Sequence, residues 1–217
     1  MISLKHKIIF IHIPKCAGQS IENIFLEDLG LNWEQRYPLL LRLKKKEEKG
    51  PERLAHLYAE EYFKFNYVSR EKFDQFFKFA IIRDPIDRIL SEMNYRGIPR
   101  KNIINKKGVE SIEEYISKVF QLDEFSDRKR HISPQAKFLF DSKSNECLVD
   151  KIINFDVINE EVTKIFQNKL KGFTKVPRRN ISNDKFWVRE NLTKSDLNFL
   201  HDFYKNDFIL FEGKNPN

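Results

Sequence analysis

The chain has 217 residues and a formal charge of +7, from 39 Lys and Arg against 32 Asp and Glu. That length fits one domain able to bury a core, and the expected organisation is a single domain over residues 1–217. The positive excess suits an anionic ligand but is too small to mark a nucleic-acid binder. Its two cysteines, Cys16 and Cys147, lie far apart in sequence, and neither a disulfide framework nor a metal-ligand cluster is readable. The abundance of Phe (20) over Gly (7) points to helices and an aromatic core. The opening MISLKHKIIF runs straight into an apolar stretch without a secretory core or a long membrane span. A soluble, cytoplasmic protein without a transmembrane segment is therefore expected.

The informative stretch comes first, IIFIHIPKCAGQS at residues 8–20. Its apolar β-formers read as a strand buried on both faces. The run stops at Pro14 and turns through Lys15, Cys16, Ala17 and Gly18. It restarts as IENIFLEDL, with Ile21, Ile24, Phe25 and Leu29 at helical spacing. Strand, tight turn and helix in that order place unpartnered first-turn N–H groups and the positive end of the dipole at the turn. Lys15 adds a full charge and Ser20 a hydroxyl. The unit is a phosphate- or sulfate-sized site; the alternative is an ordinary strand-to-helix turn with a solvated lysine. It is not the G-x-x-x-x-G-K-[ST] loop of nucleoside triphosphatases, because Lys15 precedes the single Gly18. The dinucleotide pattern G-x-G-x-x-G is absent too.

Gly30 suits a helix stop. The charge run at residues 44–49 reads as solvated, and ERLAHLYAEEYF follows with His56 at its centre. Ser69 is placed to cap REKFDQFF. FKFAII at Phe77–Ile82 reads as a second central strand. It ends at Arg83-Asp84-Pro85, where Asp84 suits an N-cap and Pro85 a first helical residue. Ser91 lies seven residues past Asp84, on nearly the same side of the helix and about 10 Å along it. A long Arg83 side chain can therefore share one anion with Ser91.

Further on, residues 96–107 form a basic loop. Ser111 with Glu114 gives a capping-box signal, and residues 127–131 read as a charged loop. Ser133-Pro134 opens a helix, KIINF is a strand, and Asn159 is placed to cap EEVTKIFQNKL. Residues 171–184 form a loop with a basic centre, and Thr193 with Asp196 starts a final helix with Leu197, Leu200, Phe203 and Tyr204 inward. Alternating strands and helices argue an α/β fold with a mostly parallel central sheet flanked by helices. Ligands in such sheets sit at the C-terminal ends of the strands, so Lys15–Ser20 and Arg83 should converge on one crevice.

The two turns, HIPKCAGQS and FAIIRDPIDRILS, together resemble the sulfotransferases that use 3′-phosphoadenosine 5′-phosphosulfate (PAPS). The similarity is to the carbohydrate branch, with its heparan and chondroitin enzymes and bacterial relatives. AHLYAEEY, RHISPQAKFL, the Asn180-x-Ser182 pair and the closing YKNDFILFEG resemble further family segments. The resemblance spans nearly the whole chain and implies a P-loop-like three-layer fold. It implies that Lys15, Cys16, Ala17, Gly18, Gln19 and Ser20 hold the 5′-phosphosulfate, and that Arg83 and Ser91 hold the 3′-phosphate. Arg178, Arg179 and Asn180 would close over the nucleotide. Gln19 and Cys16 depart from the threonines common in the family; backbone N–H groups still supply the cradle. Cys16 is read as a small loop residue, with a nucleophilic role as its alternative.

The implied reaction moves a sulfuryl group from PAPS to an acceptor hydroxyl on a glycan or glycoconjugate, leaving adenosine 3′,5′-bisphosphate (PAP), with no metal and no nucleic-acid partner. Lys15 would stabilise the leaving phosphate oxygen. His56 is the expected general base, with Glu60 or Glu61 as alternatives. His12 is read as structural, and His131 as an exposed residue or a ligand contact. The competing functions are a phosphate-loop kinase of nucleotides or small molecules, which lacks its glycine and Mg²⁺ signals here, and a non-catalytic basic module binding RNA or a sulfated glycan.

Overall fold

The computed structural model describes residues 1–101, 108–167, 169–170, 176 and 186–216. Among them, strands β1 (Ile2–Ser3), β2 (Ile8–Ile11), β3 (Phe77–Ile82) and β4 (Lys151–Asn154) form one sheet in the order β1-β2-β3-β4. β2 and β3 run parallel, with Ile11 opposite Ala80, and β3 and β4 run parallel, with Ile82 opposite Asn154. All four residues of β2 are buried, as its unbroken apolar run requires. The expected, mostly parallel sheet is found in β2, β3 and β4 but not at its edge. β1 adds an antiparallel edge to β2, pairing Ile2 with Ile9, and a two-residue strand has no periodicity to betray it.

Helix α1 (Gly18–Asp28) starts at the end of the first turn and buries Ile21, Ile24 and Phe25 against the sheet cluster. Gly30, at φ +66°, follows its end. Helices α2 (Ala59–Lys64) and α3 (Arg70–Gln75) come before β3, and the Ser69 hydroxyl caps α3 by accepting from Lys72 N. Helix α4 (Pro85–Tyr95) carries the expected Asp84 cap, whose carboxylate accepts from Asp87 N. Its apolar face, Ile86, Ile89, Leu90 and Met93, belongs to a second buried cluster. That cluster also holds residues of α5 (Ile112–Phe120) and α9 (Lys194–Phe203). The core thus has two parts, one around the sheet and one behind α4.

Other local expectations need correction. Residues 127–131 lie in helix α6 (Asp127–Ile132), whose last turn buries Arg130 and His131. The pairing of its charges with distant residues, not apolar periodicity, fixes it. Ser111 caps α5 by accepting from Glu114 N, but Glu114 takes the N–H of Glu110 rather than closing the box on Ser111. After α7 (Gln135–Leu139), helix α8 (Ile158–Phe166) begins ahead of Asn159, which therefore sits inside it. The Thr193–Asp196 box is present, and α9 is followed directly by α10 (Lys205–Phe211). Leu200 and Tyr204 are buried as expected, whereas Leu197 and Phe203 are half-buried. Among the described residues no helix is long and apolar enough to cross a membrane.

Candidate functional site

The first turn is shaped by its backbone. Lys15 and Ala17 both have positive φ, 69° and 59°, with Cys16 between them. For residues with a Cβ this conformation costs about 1–2 kcal/mol each. Alternation of this kind turns successive N–H groups toward one concave spot, which suits an anion. Ala17 is the N-cap of α1, so the spot lies on the positive end of that helix. Ser20 is buried in the first helical turn, and Gln19 is exposed. Gly18 is required here, because a Cβ would lie 1.8 Å from His12 Nε2. The His12 ring therefore packs directly beneath the helix start, and its Nδ1 donates to Glu22 at 2.6 Å.

The second turn lies alongside, because β2 and β3 are adjacent and parallel. Two side chains lock the turns together. Gln135 accepts from Arg83 N at 2.9 Å and donates to Arg83 O at 2.8 Å, while its Oε1 lies 3.4 Å from Cys16 Sγ. Arg88, fully buried, donates to Pro14 O at 3.1 Å and to His131 O at 2.8 Å. Asp207 sets Gln135 in turn, taking the N–H groups of Gln135 and Ala136 at 2.7 and 2.9 Å. Lys15 and Arg83 are near enough for Arg83 to depress the lysine's pKa. The two turns thus lie side by side at the ends of adjacent strands, bridged by Gln135.

The two cations are free of direct carboxylate pairing among the described residues. Lys15 Nζ rests 3.8 Å from the centre of the Tyr95 ring, and the Arg83 guanidinium lies 4.9 Å from that of Phe155. Burial lowers the Lys15 pKa most, Glu92 raises it, and Arg83 and Arg96 lower it further. Asp84 and Asp87, beside Arg83, are taken by Arg189 at 2.5 and 2.9 Å. Ser91 is half-buried on α4, two turns beyond Asp84. Arg178, Arg179, Asn180 and Ser182 lie outside the described residues. Burial pushes the Cys16 thiol up to about 11, which disfavours the thiolate, and its sulfur packs 3.4 Å from Gln135.

Beside the turns stand three histidines in edge-to-face sequence. His12 and His56 have ring centres 5.0 Å apart, and His56 and His131 4.9 Å. Each Nδ1 faces its own carboxylate: Glu22 for His12, Asp127 for His56 at 3.0 Å, and Glu92 for His131 at 2.7 Å. Burial lowers the His56 pKa to about 3; the Asp127 hydrogen bond opposes this, and the neighbouring imidazoles reinforce it. His56 is therefore neutral at ordinary pH and retains a lone pair. His131, read from sequence as a loop residue, is buried on α6, with Tyr95 stacked over it at 6.2 Å. Tyr95 also carries Lys15, so His56 is connected to the first turn on both sides, through His12 and Gly18 and through His131 and Tyr95.

Glu60 and Glu61 are engaged elsewhere. Glu61 holds the buried Arg130 in a bidentate pair at 2.7 and 3.0 Å, and Glu60 binds Lys64 and Ser142 N. Sequence reading missed Asp127, Glu92, Arg88 and Arg96 as parts of the site. The second arginine of RDPIDR signalled Arg88; the others had no signal beyond charge. No metal-ligand cluster was readable in the sequence, yet His56, Asp127 and His131 offer ligand atoms within 4.8 Å of one another. Arg96 at 3.2 Å and Arg53 at 3.6 Å already neutralise that carboxylate. Two open clefts of about 590 and 700 Å³ lie elsewhere, and neither is lined by Lys15, Arg83 or His56.

These features define an α/β protein with paired cationic strand-end turns and a buffered histidine beside them. A model described as the sulfotransferase family matches residues 1–212, and the chain belongs to that family of sulfuryl-transferring enzymes. Comparison with curated proteins and with solved structures gave no match.

Proposed function

We propose that this sulfotransferase moves a sulfuryl group from PAPS to an acceptor hydroxyl, on a carbohydrate, within a P-loop-like three-layer domain. The observation that supports the reading is the tying of the Arg83 backbone, through Gln135, to Cys16, and of Pro14 to α4 through Arg88, so that the turns carrying Lys15 and Arg83 are joined at the ends of adjacent parallel strands. A nucleotide with charge at both its 5′ and 3′ positions suits two cationic turns better than one with a single charged end. The first turn and Lys15 would hold the 5′-phosphosulfate, and Arg83 with Ser91 the 3′-phosphate.

In the reaction the acceptor oxygen bonds to sulfur as the bond from sulfur to the 5′-phosphate oxygen breaks. Charge grows on that leaving oxygen, where Lys15 and the α1 N-terminus stabilise it. The proton of the acceptor hydroxyl goes to His56, whose other ring nitrogen faces Asp127. PAP and the sulfate ester are the products. The chain's own cations supply the charge this chemistry needs.

The test is transfer of labelled sulfate from PAPS to a panel of glycans, with thermal shift by PAP against ATP–Mg²⁺. Stabilisation by PAP and labelled product, both reduced by Lys15→Ala and Arg83→Ala, support the reading. Turnover that survives both substitutions overturns it.

A further inference from the structure

We infer that Asp127 is a positioning residue that sets the tautomer of His56, and that Arg96 ties this setting to the α4 helix. The inference deepens the sulfuryl-transfer reading and rests on it for the role of His56. Asp127 Oδ1 lies 3.0 Å from His56 Nδ1. The Arg96 guanidinium at 3.2 Å and that of Arg53 at 3.6 Å lie against this carboxylate and hold it ionised. An ionised carboxylate has no proton to give, so the proton between them belongs to His56 Nδ1. The lone pair is then on Nε2, the nitrogen left to receive a substrate proton.

The carboxylate is itself fixed. Its other oxygen, Oδ2, accepts from Arg96 at 3.2 Å, and the same guanidinium donates through Nε to Glu92 Oε1 at 2.7 Å. Glu92 Oε2 in turn holds His131 Nδ1 at 2.7 Å. Arg96 thus joins two histidine–carboxylate pairs. It is the C-cap of α4, the helix that follows Arg83 and carries Ser91. Asp127, at the start of α6, comes from a different part of the chain. Asp127 is the first residue of α6, after the N-cap Ser126, and both its carboxylate oxygens are engaged by side chains of other elements. When His56 takes a proton on Nε2, the adjacent carboxylate stabilises the imidazolium without moving. Asn in place of Asp127 can donate through its amide, which favours the opposite tautomer and places a proton where the lone pair should be.

The direct test is nitrogen–proton correlation NMR of the histidine rings in the unaltered, full-length protein, at neutral pH and without nucleotide. His56 is expected protonated on Nδ1; protonation on Nε2 overturns the inference, whatever reaction the protein performs. In kinetics, Asp127→Asn is expected to lower kcat by on the order of 10²-fold or more, with KM for PAPS and the thermal shift by PAP little changed. Asp127→Glu should restore part of kcat. An Asp127→Asn variant with unimpaired kcat, or one losing PAP binding in step with turnover, overturns the positioning role. Full turnover in His56→Ala would instead remove His56 as base, leaving the tautomer measurement to stand alone.

Discussion

Gln135 grips both the N–H and the C=O of Arg83, at 2.9 and 2.8 Å, while standing 3.4 Å from Cys16 Sγ. One side chain thus fixes the backbone at the end of β3 and abuts the turn after β2. Gln135→Ala leaves the half-buried Arg83 peptide groups without this partner, at a cost of about 1 kcal/mol. A lower melting temperature and about tenfold weaker PAP binding are expected, read by calorimetry. Gln135→Glu replaces the amide donor to Arg83 O with an acceptor and should be no better.

Gly18→Ala tests the contact between helix start and histidine. A methyl group would fall 1.8 Å from His12 Nε2, so either the ring or the turn must move. Movement of the ring breaks its 2.6 Å bond to Glu22 inside the core. Both melting temperature and PAP binding should fall, whereas Gly213→Ala, where a Cβ meets nothing within 4 Å, should leave PAP binding intact.

Lys15 and Arg83 should separate kinetically. In the proposed reaction Lys15 would act on charge that grows during transfer, so Lys15→Ala should lower kcat by about 10²–10³-fold. In the same proposal Arg83 would act on a phosphate present throughout, so Arg83→Ala should raise the KM for PAPS with a smaller effect on kcat. It should also narrow the preference for PAPS over adenosine 5′-phosphosulfate, which lacks the 3′-phosphate. An identical pattern for both variants would contradict the division of labour.

The pH dependence follows from His56. Its folded pKa, about 3, lies below the unfolded value of 6.5, so between these the unfolded chain binds the extra proton. This contribution is complete above about pH 6.5 and is lost as pH falls toward 3, at up to about 1.4 kcal/mol per pH unit. His56→Gln should flatten the acid limb of a stability profile between pH 7 and 5. In catalysis, the acid limb of kcat/KM should begin well below pH 6.

Much of the site's frame is legible in the chain. IIFI and FKFAII cannot be anything but buried in a two-sided sheet, and Asp84-Pro85 and Ser69 announce their helix starts by local chemistry alone. Those signals brought Lys15 and Arg83 to the same edge before any coordinates. What joins them was not legible. Gln135 is 52 residues from Arg83, and Asp127 is 71 residues from His56, so their contacts arise from tertiary packing. The same holds for α6, whose Asp127, Arg130 and His131 read as solvated charge until Glu61, Glu92 and His56 are placed beside them. Buried ion pairs mimic surface sequence, and only the partner's position reveals the difference.

Arg88 bonds to Pro14 O on one side and His131 O on the other, with almost none of its surface exposed. The cradle is therefore stapled to the histidine row before any nucleotide arrives. The first turn and the histidine row need no rearrangement upon occupancy, so this part of the site should dock its ligand near-rigidly.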